Sequence, residues 1–177
     1  MYNIIAFIGP SASGKTTLQK HLGLDKIVTH TSRPPRSGEI DGVTYHFSDK
    51  EKIINMFEQG LSLQCTEYYG FYYSTEIKSI QEVIDENRTA SLVIDAHGAK
   101  VLKDNLFDKV LIVGVAASYD ECKERLAQRG QGECDLRLQK YNEEYEELLT
   151  WSDIIINNSK KNWGKSIDMV KLFKYLK

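Results

Sequence analysis

The chain has 177 residues, 41% hydrophobic and 27% charged, with 23 Lys and Arg against 25 Asp and Glu. That length suits one α/β domain with an adequate core, and a net charge of −2 excludes the overall basic field that a nucleic acid polymer demands. No apolar run approaches the roughly 20 residues that span a bilayer, and Cys65, Cys122 and Cys134, odd in number and without metal-ligand spacing, point to reduced thiols in a cytoplasmic protein. The first predicted element is a buried strand at Ile4–Ile8, an apolar run rich in β-branched residues. With a strand beginning so early, no signal peptide is expected ahead of it.

That strand runs into Gly9-Pro10-Ser11-Ala12-Ser13-Gly14-Lys15-Thr16, the pattern G-x-x-x-x-G-K-T, followed by a helical stretch at Lys15–Leu22. Between strand and helix, backbone N–H groups can turn inward around a polyphosphate, and the helix N-terminus adds its dipole. Gly9 and Gly14 permit the tight turn. Lys15 would reach the β- and γ-phosphates and the Thr16 hydroxyl would bind Mg²⁺. Triphosphate contacts are therefore expected from Gly9, Ser11, Ala12, Ser13, Gly14, Lys15, Thr16 and Thr17. A chance glycine-rich turn is the bland alternative, and the strand-to-helix context weighs against it.

From about residue 31 to residue 86 the rhythm changes. The turn-rich Arg33-Pro34-Pro35-Arg36-Ser37-Gly38 is followed by a short strand at 45–47, a helix at 49–58 with Ser48 as N-cap, and strands at 61–68 and 70–73. Two guanidinium forks, Arg33 and Arg36, on a backbone stiffened by prolines, could clamp a second phosphate or simply face solvent. Tyr45, Tyr68, Tyr69, Tyr72 and Tyr73 crowd the same segment, as packing or as phenol donors. Alternation then resumes. Strands are predicted at 91–94, 110–115 and 153–156, and helices at 98–102, Tyr119–Gln128, 136–149 and 166–175. Strand–helix alternation argues for a parallel sheet covered on both faces. The acidic run Glu143, Glu144, Glu146 and Glu147 reads as a solvated face.

At this point the chain resembles a known family. Thr31-Ser32-Arg33-Pro34-Pro35-Arg36-Ser37-Gly38-Glu39, then Gly42 and Tyr45-His46-Phe47, is similar to the nucleotide-binding segment of guanylate kinases. Gly70-Phe71-Tyr72-Tyr73-Ser74-Thr75 resembles that family's G-x-Y-Y-G-T/S turn, and Val93-Ile94-Asp95-Ala96-His97-Gly98 its D-I-D-x-Q-G. Residues 124–130 resemble the arginine-bearing helix end before the lid, 135–138 the lid's exit, and 153–158 the strand ending in an adenine-side Asn.

The resemblance implies a P-loop three-layer core with a parallel sheet, residues 1–30 and 88–177. An inserted small mixed α+β monophosphate-binding subdomain, 31–87, and a short lid, 129–138, complete it. It further implies ATP as phosphoryl donor, Mg²⁺ as cofactor and nucleotide substrates as partners, with no nucleic acid polymer and no membrane; of protein partners it says nothing. Lys15, Arg36, Arg129 and Arg137 would be catalytic, the last two swinging in with the lid. Asn158 would sit near the donor adenine. Thr29, Arg33, Arg36, Tyr45, Gln64, Tyr73, Thr75 and Val93 would surround the acceptor. Mg²⁺ would be held by Thr16, with Asp95 acting through water. Arg125 is read as structural and His97 as a loop residue.

Ser74 stands where the family's turn has Gly, the lid between Arg129 and Arg137 is a few residues shorter than usual, and two base-reading positions depart from the family pattern. The base-reading glutamate falls on Gln64 and the first Asp of D-I-D on Val93. Guanine presents two donors, N1–H and N2–H₂, and each lost charge-assisted bond is worth roughly 1.5–3 kcal/mol. Glu67, three residues on, points to the opposite face of a regular strand unless a bulge resets the register. GMP or dGMP is the default acceptor. Another or modified nucleotide, a phosphorylated sugar, or a non-catalytic binding module are the alternatives.

Overall fold

The computed structural model describes residues 2–106, 108–128 and 134–176. In chain order its elements are β1 Ile4–Ile8, α1 Lys15–Leu22, β2 Asp25–Lys26, β3 His30–Thr31, β4 His46–Phe47, α2 Lys50–Glu58, β5 Ser62–Tyr68, β6 Phe71–Glu76, α3 Ile77–Asp85, β7 Ala90–Val93, α4 Ala96–Leu106, β8 Val110–Ala116, α5 Tyr119–Gln128, α6 Cys134–Gln139, α7 Tyr141–Trp151, β9 Ile154–Asn157 and α8 Trp163–Leu172.

Five strands form one sheet in the order β2-β7-β1-β8-β9, parallel throughout. Alternation along β1 decides the layers. Ile4, Ala6 and Ile8 pack with Ile80 and Val83 of α3 and Ala99 and Leu102 of α4. Ile5 and Phe7 point the other way, onto Leu18 and Leu22 of α1 and Val170 of α8. A strand buried on both faces reads as an unbroken apolar run, which is why Ile4–Ile8 lacks polar alternation. Each of these larger side chains contributes about 1.5–3 kcal/mol on burial.

The second sheet has the order β4-β3-β6-β5 and mixes directions. β3 pairs with β4 in parallel and with β6 antiparallel. β5 and β6 form a hairpin whose register shifts between Ser62 and Cys65. Its two-residue turn holds Tyr69 at φ 54 and Gly70 at φ 78, the two left-handed residues a type I′ turn requires. The fold is therefore the expected α/β architecture with an inserted mixed unit.

Several local expectations need correction. The helix expected over 136–149 is two helices, α6 and α7, broken at Lys140 with φ −88 and ψ 0. Tertiary anchoring explains the break: the Tyr141 hydroxyl donates to Ala117 O at 2.7 Å and its ring packs on the cluster of Cys122 and Leu126. α3 and the two-residue strands β2 and β3 are not among the predicted elements. Asp49, not Ser48, stands at the start of α2, and it makes no side-chain cap bond. His97 lies in the first turn of α4 rather than in a loop, and it is exposed.

Candidate active site

The loop after β1 is shaped by three residues with positive φ: Gly9 at 129, Ala12 at 63 and Gly14 at 104. Glycine is required twice. A Cβ on Gly9 would lie 2.5 Å from Val115 O, and one on Gly14 would lie 2.2 Å from Asn158 Nδ2. The Lys15 ammonium folds back over the loop, donating to Gly9 O at 2.6 Å and Pro10 O at 2.9 Å. Thr16 and Thr17 open α1 and are exposed. The Ser13 hydroxyl is buried and finds no partner among the described residues.

The far side of the loop is braced by two residues. Arg125 of α5 donates to Ala12 O at 3.3 Å, Ser13 O at 3.1 Å and Asn158 O at 2.8 Å. Asn158, just past β9, donates from Nδ2 to Ser13 O at 2.7 Å and from its backbone N–H to Ala116 O at 2.6 Å. Asn158 also lines a groove with Ala12, Gly14, Thr17, Gln128, Lys160 and Trp163. It thus contacts the loop as well as the groove expected to take adenine.

On the near side, a cavity separates the loop from the second sheet. Gly9, Ser11 and Lys15 line it from the loop, Val93 and Asp95 from the end of β7, and Thr29, Tyr45, Gln64, Thr66, Tyr73, Ser74 and Thr75 from the segment of the second sheet. Burial pushes the Tyr45 phenol above its ordinary range, and the neighbouring Tyr73 adds to this. Tyr45 is therefore a neutral donor at any ordinary pH. Gln64 is 3% exposed; its Nε2 donates to Thr75 Oγ1 at 3.2 Å, and its Oε1 has no partner among the described residues. Glu67 does not share this cavity. It is exposed and accepts from the Tyr72 hydroxyl at 2.9 Å.

The two turn arginines do not line the cavity. Arg33 is 5% exposed and its Nη2 donates to both oxygens of Glu39, at 2.9 and 2.8 Å. Its guanidinium lies 5.6 Å from the centre of the Tyr45 ring. Burial opposes the charge on both partners. The Arg36 backbone N–H and the Arg33 guanidinium outweigh it and hold Glu39 below the usual carboxylate range. Arg137 is 8% exposed and sits 5.3 Å from the Tyr69 ring. Arg129 lies outside the described residues.

One residue at the site escapes a reading of the sequence alone. Glu144 belongs to the acidic run of α7, yet it is 7% exposed and accepts from Ser11 N–H at 2.7 Å. Burial pushes its carboxyl up to about 7, against the pull of Lys15 and the Ser11 amide. The run is a solvated face at Glu143 and Glu146 but not at Glu144. The available signal is helical spacing: Glu144 stands four residues before the fully buried Leu148.

The donor set near Lys15 suits a hard divalent cation. Asp95 Oδ1 accepts from the Gly98 N–H at 2.7 Å, in the first turn of α4. Among the described residues, no group of three or more His, Cys, Asp or Glu could cage a metal. An ion held by one hydroxyl, one carboxylate, water and phosphates fits Mg²⁺, which keeps much of its hydration shell.

A G-x-x-x-x-G-K-T loop between a parallel strand and a helix, facing a second cavity across Lys15, is the layout of a P-loop phosphotransferase. The model of the guanylate kinase family matches residues 1–170. A guanylate kinase of Clostridium perfringens is 32% identical over 177 residues, covering 96% of this chain and 82% of that protein. Guanylate kinases of Enterococcus faecalis and Neisseria meningitidis are 32% and 33% identical, each match covering 88% of this chain and 80% of theirs. The crystal structure of guanylate kinase from Anaplasma phagocytophilum shares the fold, with a TM-score of 0.75 at 23% identity over 96% of this chain and 82% of that one. The chain belongs to the guanylate kinase family. No helix among the described residues is long and apolar enough to cross a membrane.

Proposed function

We propose that this chain is an ATP-dependent nucleoside monophosphate kinase that converts GMP or dGMP and ATP into GDP or dGDP and ADP, in the cytoplasm. The observation that carries this reading is the shared cavity: Lys15 and the phosphate-binding loop face Tyr45, Gln64, Tyr73 and Thr75 across one space. In this reading the loop amides and Lys15 hold the ATP phosphates, and the groove beside Asn158 takes the adenine. Residues 31–87 act as the monophosphate-binding unit, 129–138 as the lid, and the remainder as the core. Mg²⁺ on Thr16, with Asp95 through water, would neutralise and orient the phosphates.

Phosphoryl transfer needs in-line positioning and cations around the transferring group rather than covalent chemistry by the protein. Lys15 supplies one cation. Arg36, Arg129 and Arg137 supply the others when the lid and the acceptor unit close. Tyr45 and Tyr73 donate to the acceptor phosphate. Closure also excludes water, suppressing ATP hydrolysis.

ADP formation from ATP, Mg²⁺ and single monophosphates tests the reading. GMP or dGMP should be the preferred common substrate. Lys15→Ala should lower kcat by about a hundredfold or more without changing the unfolding midpoint by more than a few degrees. Retained turnover in that variant would remove Lys15 from the site. A second reading, a different acceptor, is favoured specifically by Gln64 and Val93. Turnover of another base with GMP inert would establish it.

A further inference from the structure

The tip of the β5–β6 hairpin joins three parts of the molecule at one side chain. Tyr69 stands in the left-handed region, at φ 54, where glycine or asparagine costs less than a tyrosine. Its half-buried ring makes contacts well outside the hairpin. The hydroxyl donates to Arg137 O of α6 at 3.1 Å. The Arg137 guanidinium lies over the same ring, 5.3 Å from its centre. The Ser11 side chain, on the phosphate-binding loop, also hydrogen-bonds the phenol. A phenol has one proton, so it donates to Arg137 and accepts from Ser11. Burial pushes that phenol up to about 12, against the pull of Arg137 and the Ser11 bond.

The same ring begins a row of tyrosines that ends among the acceptor residues. Tyr68 packs edge-on against Tyr69, with centroids 4.6 Å apart, and against Tyr73 at 6.5 Å; Tyr73 meets Tyr45 at 6.3 Å. These are separations at which edge-to-face rings attract. Tyr68, Tyr73 and Tyr45 all line the cavity that Lys15 faces, and Tyr69 does not. Just past α6, the Lys140 ammonium lies 5.5 Å from the centre of the Tyr68 ring. Both cations at this end of α6 therefore rest on hairpin tyrosines. Arg137 is held twice by Tyr69, through its carbonyl and through its guanidinium face, which fixes both the backbone and the charged end of one residue.

We infer that Tyr69 is a positioning residue for phosphoryl transfer: anchored on Ser11 and on the row of tyrosines, it holds the Arg137 guanidinium in register with both the loop and the acceptor residues. The inference rests on the kinase reading above. Tyr69 acts through Arg137, because it stands outside the cavity. A cation aligned in advance on the transferring group lowers the barrier without tightening either substrate in the ground state. Loss of the hydroxyl should therefore appear in kcat and not in KM.

The test is a double-mutant cycle on kcat with ATP, Mg²⁺ and the monophosphate that the unaltered chain turns over best. It compares the unaltered chain, Tyr69→Phe, Arg137→Ala and the two changes together. Tyr69→Phe keeps the ring and removes both hydroxyl bonds. It should lower kcat by about three- to tenfold, leave both KM values within about twofold, and shift the melting temperature by no more than about 4 °C. Beside Arg137→Ala the same change should alter kcat by less than about twofold. Tyr69→Gly, which suits φ 54 and so keeps the turn, should lower kcat about tenfold further and lose its effect in the same background. Equal factors with and without Arg137 would overturn the inference and make Tyr69 a support of the hairpin alone. Phe and Gly variants both within about twofold of the unaltered kcat would overturn it as well. No turnover of any monophosphate by the unaltered chain would overturn the kinase reading, and the inference with it.

Discussion

At the scale of single residues, Glu144 shows how one buried carboxyl couples the loop to pH. Burial raises it from 4.5 to about 7, with Glu147 adding to the effect and Lys15 and the Ser11 N–H opposing it. Its sign follows from linkage. Between pH 4.5 and 7 the folded chain holds a proton that the unfolded chain has lost, so this group makes stability fall as pH rises across that window. Above pH 7 its cost is constant, at most about 3 kcal/mol by the free-energy equivalent of a pKa shift. The substitution Glu144→Gln keeps an acceptor for the Ser11 N–H and removes the charge. Urea unfolding at pH 5 and pH 8 should show Glu144→Gln with a flatter pH dependence and about 1–2 kcal/mol more stability at pH 8. Equal slopes in both chains would mean that the carboxyl is not titrating in this window.

At the scale of elements, the loop depends on a strut that is not its own. Arg125 on α5 reaches three carbonyls of the loop and the β9 end, a reach that only a planar fork covers. Arg125→Ala should cost about 1.5–3 kcal/mol, the range for hydrogen bonds to a charged group. It should raise KM for ATP by about tenfold while leaving KM for the monophosphate unchanged. Arg125→Lys should recover less than half of either loss. A variant that raised both KM values equally would make the strut a general support of the fold. The loop itself was legible in the sequence because its signals are local: an apolar run, two glycines at fixed spacing, a helix. β2 and β3 were not, since two residues become a strand only through their partners, β7 and β6. The break at Lys140 lies in a run without Gly or Pro and is set by where Tyr141 docks. Gln64 was legible as a departure from the family pattern. Its bond to Thr75 and its place in the cavity depend on the pairing of β5 with β6, which chain order alone does not show.

At the scale of the whole molecule, the cavity and the turn arginines are out of step. Arg33 is bound to Glu39, and neither Arg33 nor Arg36 lines the cavity that Lys15 faces. If these arginines grip the acceptor phosphate, the segment carrying them has to shift toward the loop when a nucleotide arrives, exchanging a carboxylate partner for a phosphate. Such closure couples the two ligands, because the first to bind pays the ordering cost for the second. Each nucleotide alone at a hundred times its Kd should stabilise the chain by about 2.7 kcal/mol, which for this size raises the melting temperature by about 5–10 °C. A non-hydrolysable ATP analogue and GMP together should then raise it by more than the sum of their separate shifts, and the radius of gyration from small-angle scattering should fall. Additive shifts with an unchanged radius would mean that the two ligands bind a site already closed. Arg33 would then serve only to hold the turn against Glu39 and Tyr45.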